Sequence, residues 1–349
     1  MASRYWVGGT ANWDATAGTK WSTTSGGAGG AAVPTTADDV FFDANSGSGV
    51  VTISATANCL TLDASAFAGS ITHNAVTLTV AGTLFKLKTS ADGWTAVASS
   101  VITFTSTGSV SIDTSGKTLG SVTLNGAGGV FTLASALTNL ATSTLTLTAG
   151  HFDANDFDVN VGAFDSSNSN TRTLSMGNGN WYLSSVTDAS SVWTTATYTN
   201  LTFNKEGANI TISGKSGIRS FSGTGRTFNN LTIVDQSAAA VISLIGTMTF
   251  AELSMGAWIT ITFSSTCTFS KISSPNSRPD KPIGLCSNTF GVTRSITLQS
   301  AGQKIKHAYL SFLIINSNTL TVEGGYALRA TSNISMRPPG ARTSFQLGI

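Results

Sequence analysis

Acidic residues that could cleave a glycoside are few in this chain, and they cluster once, at Asp153, Asp156, Asp158 and Asp165. Glycosidases work with two carboxyl groups, one as acid and the other as base or nucleophile. In a strand, Asp156 and Asp158 share a face opposite Phe157 and Val159, with Cα atoms about 6.6–6.8 Å apart. Inverting enzymes hold their carboxyl groups about 6.5–9.5 Å apart, so this spacing permits the chemistry. A general acid also needs a raised pKa, which requires burial or a cleft. The residues around these aspartates have the pattern of a solvated outer face. No catalytic residue is assigned, and a polysaccharide depolymerase stands only as a secondary alternative.

The remaining reactive side chains are scattered. His73, His151 and His307 read as surface histidines, because catalytic triads form in space and no spacing along one chain reveals them. Cys59, Cys267 and Cys286 lack CxxC or metal-ligand spacing and read as buried apolar thiols. No metal or cofactor site is expected. The acidic run does not match a calcium-binding EF-hand loop, and no phosphate-binding loop occurs. Aromatic residues on a polar surface can stack on sugar rings. Trp94, Trp181, Tyr182, Trp193, Tyr198 and Trp258 lie outside the N-terminal region, and Trp181, Trp193 and Trp258 are the candidate glycan-binding residues. Trp181 and Leu183 also follow the alternation of a packed strand, so core packing competes with that role.

The composition fixes what must position these residues. Only 10% of the 349 residues are charged, and 41% are hydrophobic. Amphipathic helices and coiled coils need more charge on their outer faces. A disordered chain would be less apolar. No apolar run reaches the ~18 residues of a membrane helix, so no membrane span is expected. An all-β chain with a Ser/Thr/Asn surface remains. Its net charge of +2 hides an asymmetry: residues 271–349 carry nine Lys and Arg against two Asp and Glu. That basic segment lacks a recognisable nucleic-acid module, so no nucleic acid is expected as partner. The first residues, Met1 to Trp6, contain no apolar core of a secretory signal, and none is expected.

A short apolar–polar–apolar motif recurs along the chain. It reads Leu60-Thr-Leu62, Leu78-Thr-Val80, Ile102-Thr-Phe104, Val122-Thr-Leu124 and Leu145-Thr-Leu147. It continues as Leu174-Ser-Met176, Leu201-Thr-Phe203, Leu231-Thr-Ile233 and Leu253-Ser-Met255. Alternation with period 2 means strands with one buried face. A recurrence of roughly 20–30 residues means the coils of a solenoid, about 14 of them at the mean spacing, which would stack into a stiff rod. Asn58, Asn200 and Asn230 precede the motif and could form a ladder in register. Residues 1–45, with Trp6, Trp13 and Trp21, are expected to cap the first coil. Residues 46–270 are expected to form the coils, and residues 271–349 a distinct basic segment ending in an apolar tail, Phe345-Gln-Leu347-Gly-Ile349. Such a tail could add a strand to a neighbouring subunit or close its own chain.

The segment Tyr5-Trp-Val-Gly-Gly-Thr10, Asn12-Trp13, Trp21, Val33-Pro34 and Asp39-Val-Phe-Phe-Asp43 resembles a family found in tailed bacteriophages, prophages and bacterial surface proteins. Leu145-Thr-Leu-Thr-Ala-Gly150, Phe164-Asp-Ser-Ser-Asn-Ser-Asn170, Arg172-Thr-Leu174 and Phe228-Asn-Asn-Leu-Thr-Ile233 resemble it too. The resemblance implies a right-handed parallel β-helix with structural or adhesive duties, and no shared catalytic motif. The expected function is a non-enzymatic structural protein of a tailed-phage virion, fibre-like or capsid-decorating, on the virion surface. Its expected partners are its own copies in a homotrimer and other virion proteins. A glycan-binding adhesin on a host or bacterial cell surface is the alternative. Tyr5, Trp6, Arg337, Arg342, Phe345, Leu347 and Ile349 are the candidate attachment residues, chosen for the charge asymmetry and the apolar tail.

Overall fold

The structure is a computed structural model. It describes residues 1–187, 190–214, 217–234, 240–328, 334–337 and 345–346, of which those from 326 onward are described by their backbone alone. Arg342, Leu347 and Ile349 lie outside the described residues. Strands account for 53% of the chain and helix for 2%, which makes the fold all-β. Parallel sheets stack as a β-solenoid of about 12 turns. The chain divides into two compact units, Met1–Gly179 with Thr199–Glu206, and Asn180–Tyr198 with Gly207–Ile349. The boundaries expected at residues 45 and 270 do not coincide with this division.

In the first unit, three sets of short parallel strands face an apolar interior. One set runs through Ala2–Trp6, Asp38–Phe41, Thr61–Asp63, Leu84–Lys86 and Ser109–Asp113. A second passes through Ala57–Cys59, Thr77–Val80, Val101–Phe104 and the start of Ser121–Leu133. A third contains Ala11–Trp13, Val50–Ile53, Ser70–His73 and Trp94–Ala96. The repeat motif marks the second set in register. Leu78, Ile102, Val122 and Leu145 are successive Cα partners, and all four are buried. Elsewhere the motif falls on other faces: Leu62 pairs with Phe85, in the first set. Its mean spacing is therefore shorter than one turn, which is why the turns are fewer than the motif predicts.

The Trp-rich start forms the first coil and its cover. Trp6, Trp13 and Trp21 are fully buried around Phe42, with ring centroids 5.9–6.1 Å from it. Trp21–Ser22 runs antiparallel along Trp6 and Tyr5, so the outer edge of the first strand is not left bare. Val7 N and the Lys20 carbonyl extend this pairing at 2.8 Å.

In the second unit, parallel pairing continues far past residue 270. Ile259–Phe263 pairs with Ile283–Ser287, then Ala308–Ser311, then Tyr326–Leu328. Gln303–Lys306, Leu320–Glu323 and Ile334–Arg337 form another parallel set. The basic segment thus belongs largely to the coils. The interior holds an aromatic column: Phe228, Phe250 and Phe269 are Cα partners in turn, with near-parallel rings 5.2 and 5.7 Å apart. The Asn ladder does not form, because Asn58 pairs with Thr79 and Asn230 with Glu252.

Phe250 sits in the middle of that column and is fully buried. Phe250→Ala is expected to lower stability by about 3–5 kcal/mol in denaturant unfolding, while the outward Thr249→Ala stays within about 0.5 kcal/mol.

Candidate functional site

The aspartates serve the corners of the coils. In six places an Asp is followed two residues later by Ser, Thr or Asn, and its Oδ1 accepts the backbone N–H of that residue at 2.8–3.0 Å. These are Asp14, Asp43, Asp63, Asp113, Asp153 and Asp165. Such a bond bends the chain where a strand ends. After Asp63, Asp113, Asp153 and Asp165 the next residue, Ala64, Thr114, Ala154 or Ser166, is buried. The Asp-x-Ser/Thr/Asn spacing is visible in the sequence and carries no requirement for catalysis.

Asp156 is in a turn. Asn155 and Asp156 both have positive φ, 47° and 64°. Asp156 Oδ1 accepts Asn178 N and Nδ2, each at 2.8 Å. The strand geometry that set Asp156 beside Asp158 is absent, and with it the carboxylate spacing of a glycosidase. Among the described residues, no group of three or more His, Cys, Asp or Glu is placed to hold a metal ion.

Cations serve the same corners from inside. Arg172, in Arg172–Ser175, is buried. Its Nη1 donates to the carbonyls of Asn170 (2.7 Å) and Thr199 (2.9 Å), and its Nη2 to that of Ser166 (2.6 Å). Its Nε donates to Ser166 Oγ at 2.8 Å. Arg219 is buried likewise and donates to the carbonyls of Ser213 and Ser185. Lys117 Nζ reaches the carbonyls of Thr89 and Ser115, and Lys88 Nζ that of Gly69. Carbonyls that turn inward at a corner leave the strand ladder, so an unpaired one would be costly. A buried cation meets several at once.

His73 and Trp94 correct the surface reading. His73 is fully buried and edge-on to Trp94, with ring centroids 5.5 Å apart. Its Nε2 donates to the Val76 carbonyl at 3.0 Å, and its Nδ1 has no partner. Burial pushes its pKa from 6.5 down to about 4, against the smaller effect of the Val76 bond. His151, half-buried, lies 3.0 Å from Ser175 Oγ. Cys59 and Cys267 are buried and Cys286 is half-buried. Burial raises all three thiols, that of Cys286 to about 11 and that of Cys267 to about 12.

The tryptophans chosen for glycan binding separate into two kinds. Trp181 and Trp193 are fully buried and pack edge to face at 5.6 Å. Trp193 also stacks on Phe221 at 5.5 Å. Neither offers a ring face to a sugar, so both are core residues, as the alternation around Trp181 and Leu183 allowed. Trp258 is half-buried and adopts φ +65°, a conformation that costs a bulky residue on the order of 1–3 kcal/mol. Its N–H donates to the Lys281 carbonyl at 3.2 Å, and Lys281 Nζ stands 5.0 Å from its ring centroid. Two coils on, Tyr309 Oη lies 2.6 Å from Thr260 Oγ1. Its ring crosses Gly284, where a Cβ would collide with it. Lys281, Gly284 and Tyr309 were not recognisable as neighbours, because pairing across coils brings them together and no local motif does.

The attachment candidates also divide. Trp6 is buried in the cap. Tyr5 is half-buried and stacks on Phe41 at 4.9 Å. The backbone of Phe345–Gln346 runs antiparallel to Ser335 and Met336, so this piece of the tail closes on its own chain. Arg337 lies in the last strand of the parallel set. Among the described residues, no helix is long and apolar enough to cross a membrane. No known family model matches the chain, and no curated protein or solved structure is significantly similar to it.

Two outcomes are expected. Arg172→Ala leaves several inward carbonyls without a donor and should cost about 3 kcal/mol in urea unfolding. The unfolded chain protonates His73 near 6.5 and the folded chain only near 4, so stability falls as pH is lowered through that interval. Going from pH 6.5 to about 5 should cost about 2 kcal/mol, and His73→Leu should remove that part of the slope.

Proposed function

We propose that this protein is a non-enzymatic structural component of a tailed-phage virion, exposed on the particle surface and associated with its own copies as a homotrimer. A β-helix fold is consistent with a structural or adhesin-like role. The observation that carries the non-enzymatic reading is the employment of the carboxylates. Six aspartates are tied to turn amides, and Asp156 is tied to Asn178. A carboxylate held ionised by such bonds is a poor proton donor. The surface of Thr and Ser with few charges suits packing against identical neighbours, since few ions must lose water. The phage setting rests on the resemblance of the N-terminal and central segments. Attachment through the C-terminal residues from Arg337 onward is part of the proposal.

Immunogold electron microscopy of particles and cells from a producing culture tests it. Label on virions is expected, and deletion of residues 337–349 should abolish incorporation. Label confined to cell envelopes would replace the virion role with that of a bacterial surface adhesin.

A further inference from the structure

The last coils place several features of one kind together. Trp258 is held in a conformation that bulky residues rarely adopt, and its ring stays half-exposed under the Lys281 ammonium. The next coil has Gly284 in register with Thr260, where an outward side chain would otherwise stand. Tyr309, the Cα partner of Gly284, fills that space with its ring. Its hydroxyl is anchored on Thr260. The loop that carries Lys281 is an excursion between Cys267–Ser273 and Ile283–Ser287. It folds on itself through a bridge between Arg278 and Lys281 and lines a cavity of about 430 Å³ with residues Pro275, Asn276, Ser277 and Arg278.

We infer that Trp258, Tyr309 and Lys281, with Arg278 beside them, form a binding site for an acidic oligosaccharide, one that carries uronate groups. Sugar rings present C–H faces that pack on the electron-rich faces of aromatic rings. A uronate carboxylate needs a cation it can approach from solvent, and charge-assisted hydrogen bonds of this kind are the stronger ones. Lys281 is already attracted to the Trp258 ring. A carboxylate arriving over that ring meets the ammonium without a large movement of either side chain. The hydroxyls of Thr260, Thr262 and Ser243, the last two bonded to each other at 2.9 Å, continue the surface with groups that match sugar hydroxyls. A nucleic acid fits less well, since tracking phosphates takes a row of cations, and exposed Asp280 lies between Arg278 and Lys281. The strained Trp258 then has a reason to persist: relaxing its backbone would turn its ring away from Lys281.

The inference deepens the adhesin-like side of the functional proposal and uses that reading only for exposure at a surface. Binding is measured on the purified full chain, so its failure is separate from failure of virion localisation. The probes are polygalacturonate, hyaluronan and polysialic acid, with neutral dextran as control, in affinity gel electrophoresis. At least one acidic polymer is expected to retard the protein while dextran does not. Lys281→Gln should weaken retardation about tenfold. Trp258→Gly, which suits φ +65°, should weaken it similarly without lowering the melting temperature. Lys304→Gln removes an equal charge from Gln303–Lys306 and should leave binding unchanged. The inference is overturned if no acidic polymer retards the protein, or if Lys304→Gln weakens binding as much as Lys281→Gln. Tighter binding to single-stranded DNA than to every glycan would also overturn it.

Discussion

Parallel in-register pairing of one coil with the next is the constraint on which everything else in this structure depends. It sets each residue about 4.8 Å from its counterpart in the coils on either side. An outward charge therefore meets whatever occupies the same position twice over. Like charges at that distance repel, and a column of them would oppose the stacking. Where outward charges do share a column they alternate: Lys86 is the Cα partner of both Asp63 and Asp113. Glu252 likewise lies between Asn230 and Lys271, with a 2.9 Å ion pair to the lysine. A chain that is 10% charged follows from this geometry, with Thr supplying β-propensity where ions are excluded.

The same pairing creates a difficulty at every corner. A strand's amides and carbonyls are met by its neighbours, but a turn takes some of them out of the ladder. Aspartates answer from outside, each accepting an amide as the chain bends. Arg172, Arg219, Lys88 and Lys117 answer from inside, donating to the carbonyls that point inward. A buried cation carries a large desolvation cost. The cost is offset only when several acceptors surround it, and Arg172 has four of them in Ser166, Asn170 and Thr199. The rare charged residues of this protein are thus mostly structural.

This division explains what could be read from the sequence. The buried face of a strand is written in period 2, so the motif gave the fold class and put Leu78, Ile102, Val122 and Leu145 on one face. The Trp-rich cap was legible because open solenoid ends need covering. The number of turns was not, because the same motif serves different faces. Arg172 and His73 were misjudged for one reason: a polar side chain reads as solvated unless its acceptors are known, and these come from distant coils. Trp181 and Trp193 could serve core or ligand, and only burial distinguishes the two. Of the candidate site, Trp258 was legible as an aromatic on a polar surface. Its partners Lys281 and Tyr309 depend on register, which one sequence does not state.

The ends of the stack show how far the constraint reaches. A parallel coil cannot terminate itself, because its last strand offers the same bare groups as every other. Trp21–Ser22 lies against the first strand and Phe345–Gln346 against Ser335 and Met336, and both run antiparallel. Reversal of direction is a simple way to stop the repeat: an antiparallel strand satisfies the edge without supplying a template in register for another coil. A protein built this way grows neither by adding copies end to end nor by recruiting strands at those two edges. Contacts with partners must then be made through outward side chains. Those side chains are mainly hydroxyls, interrupted by a few features such as the Trp258 corner. Recognition is therefore concentrated where the repeat is broken by a loop, a glycine or a strained residue, and the regular coils hold those places in position.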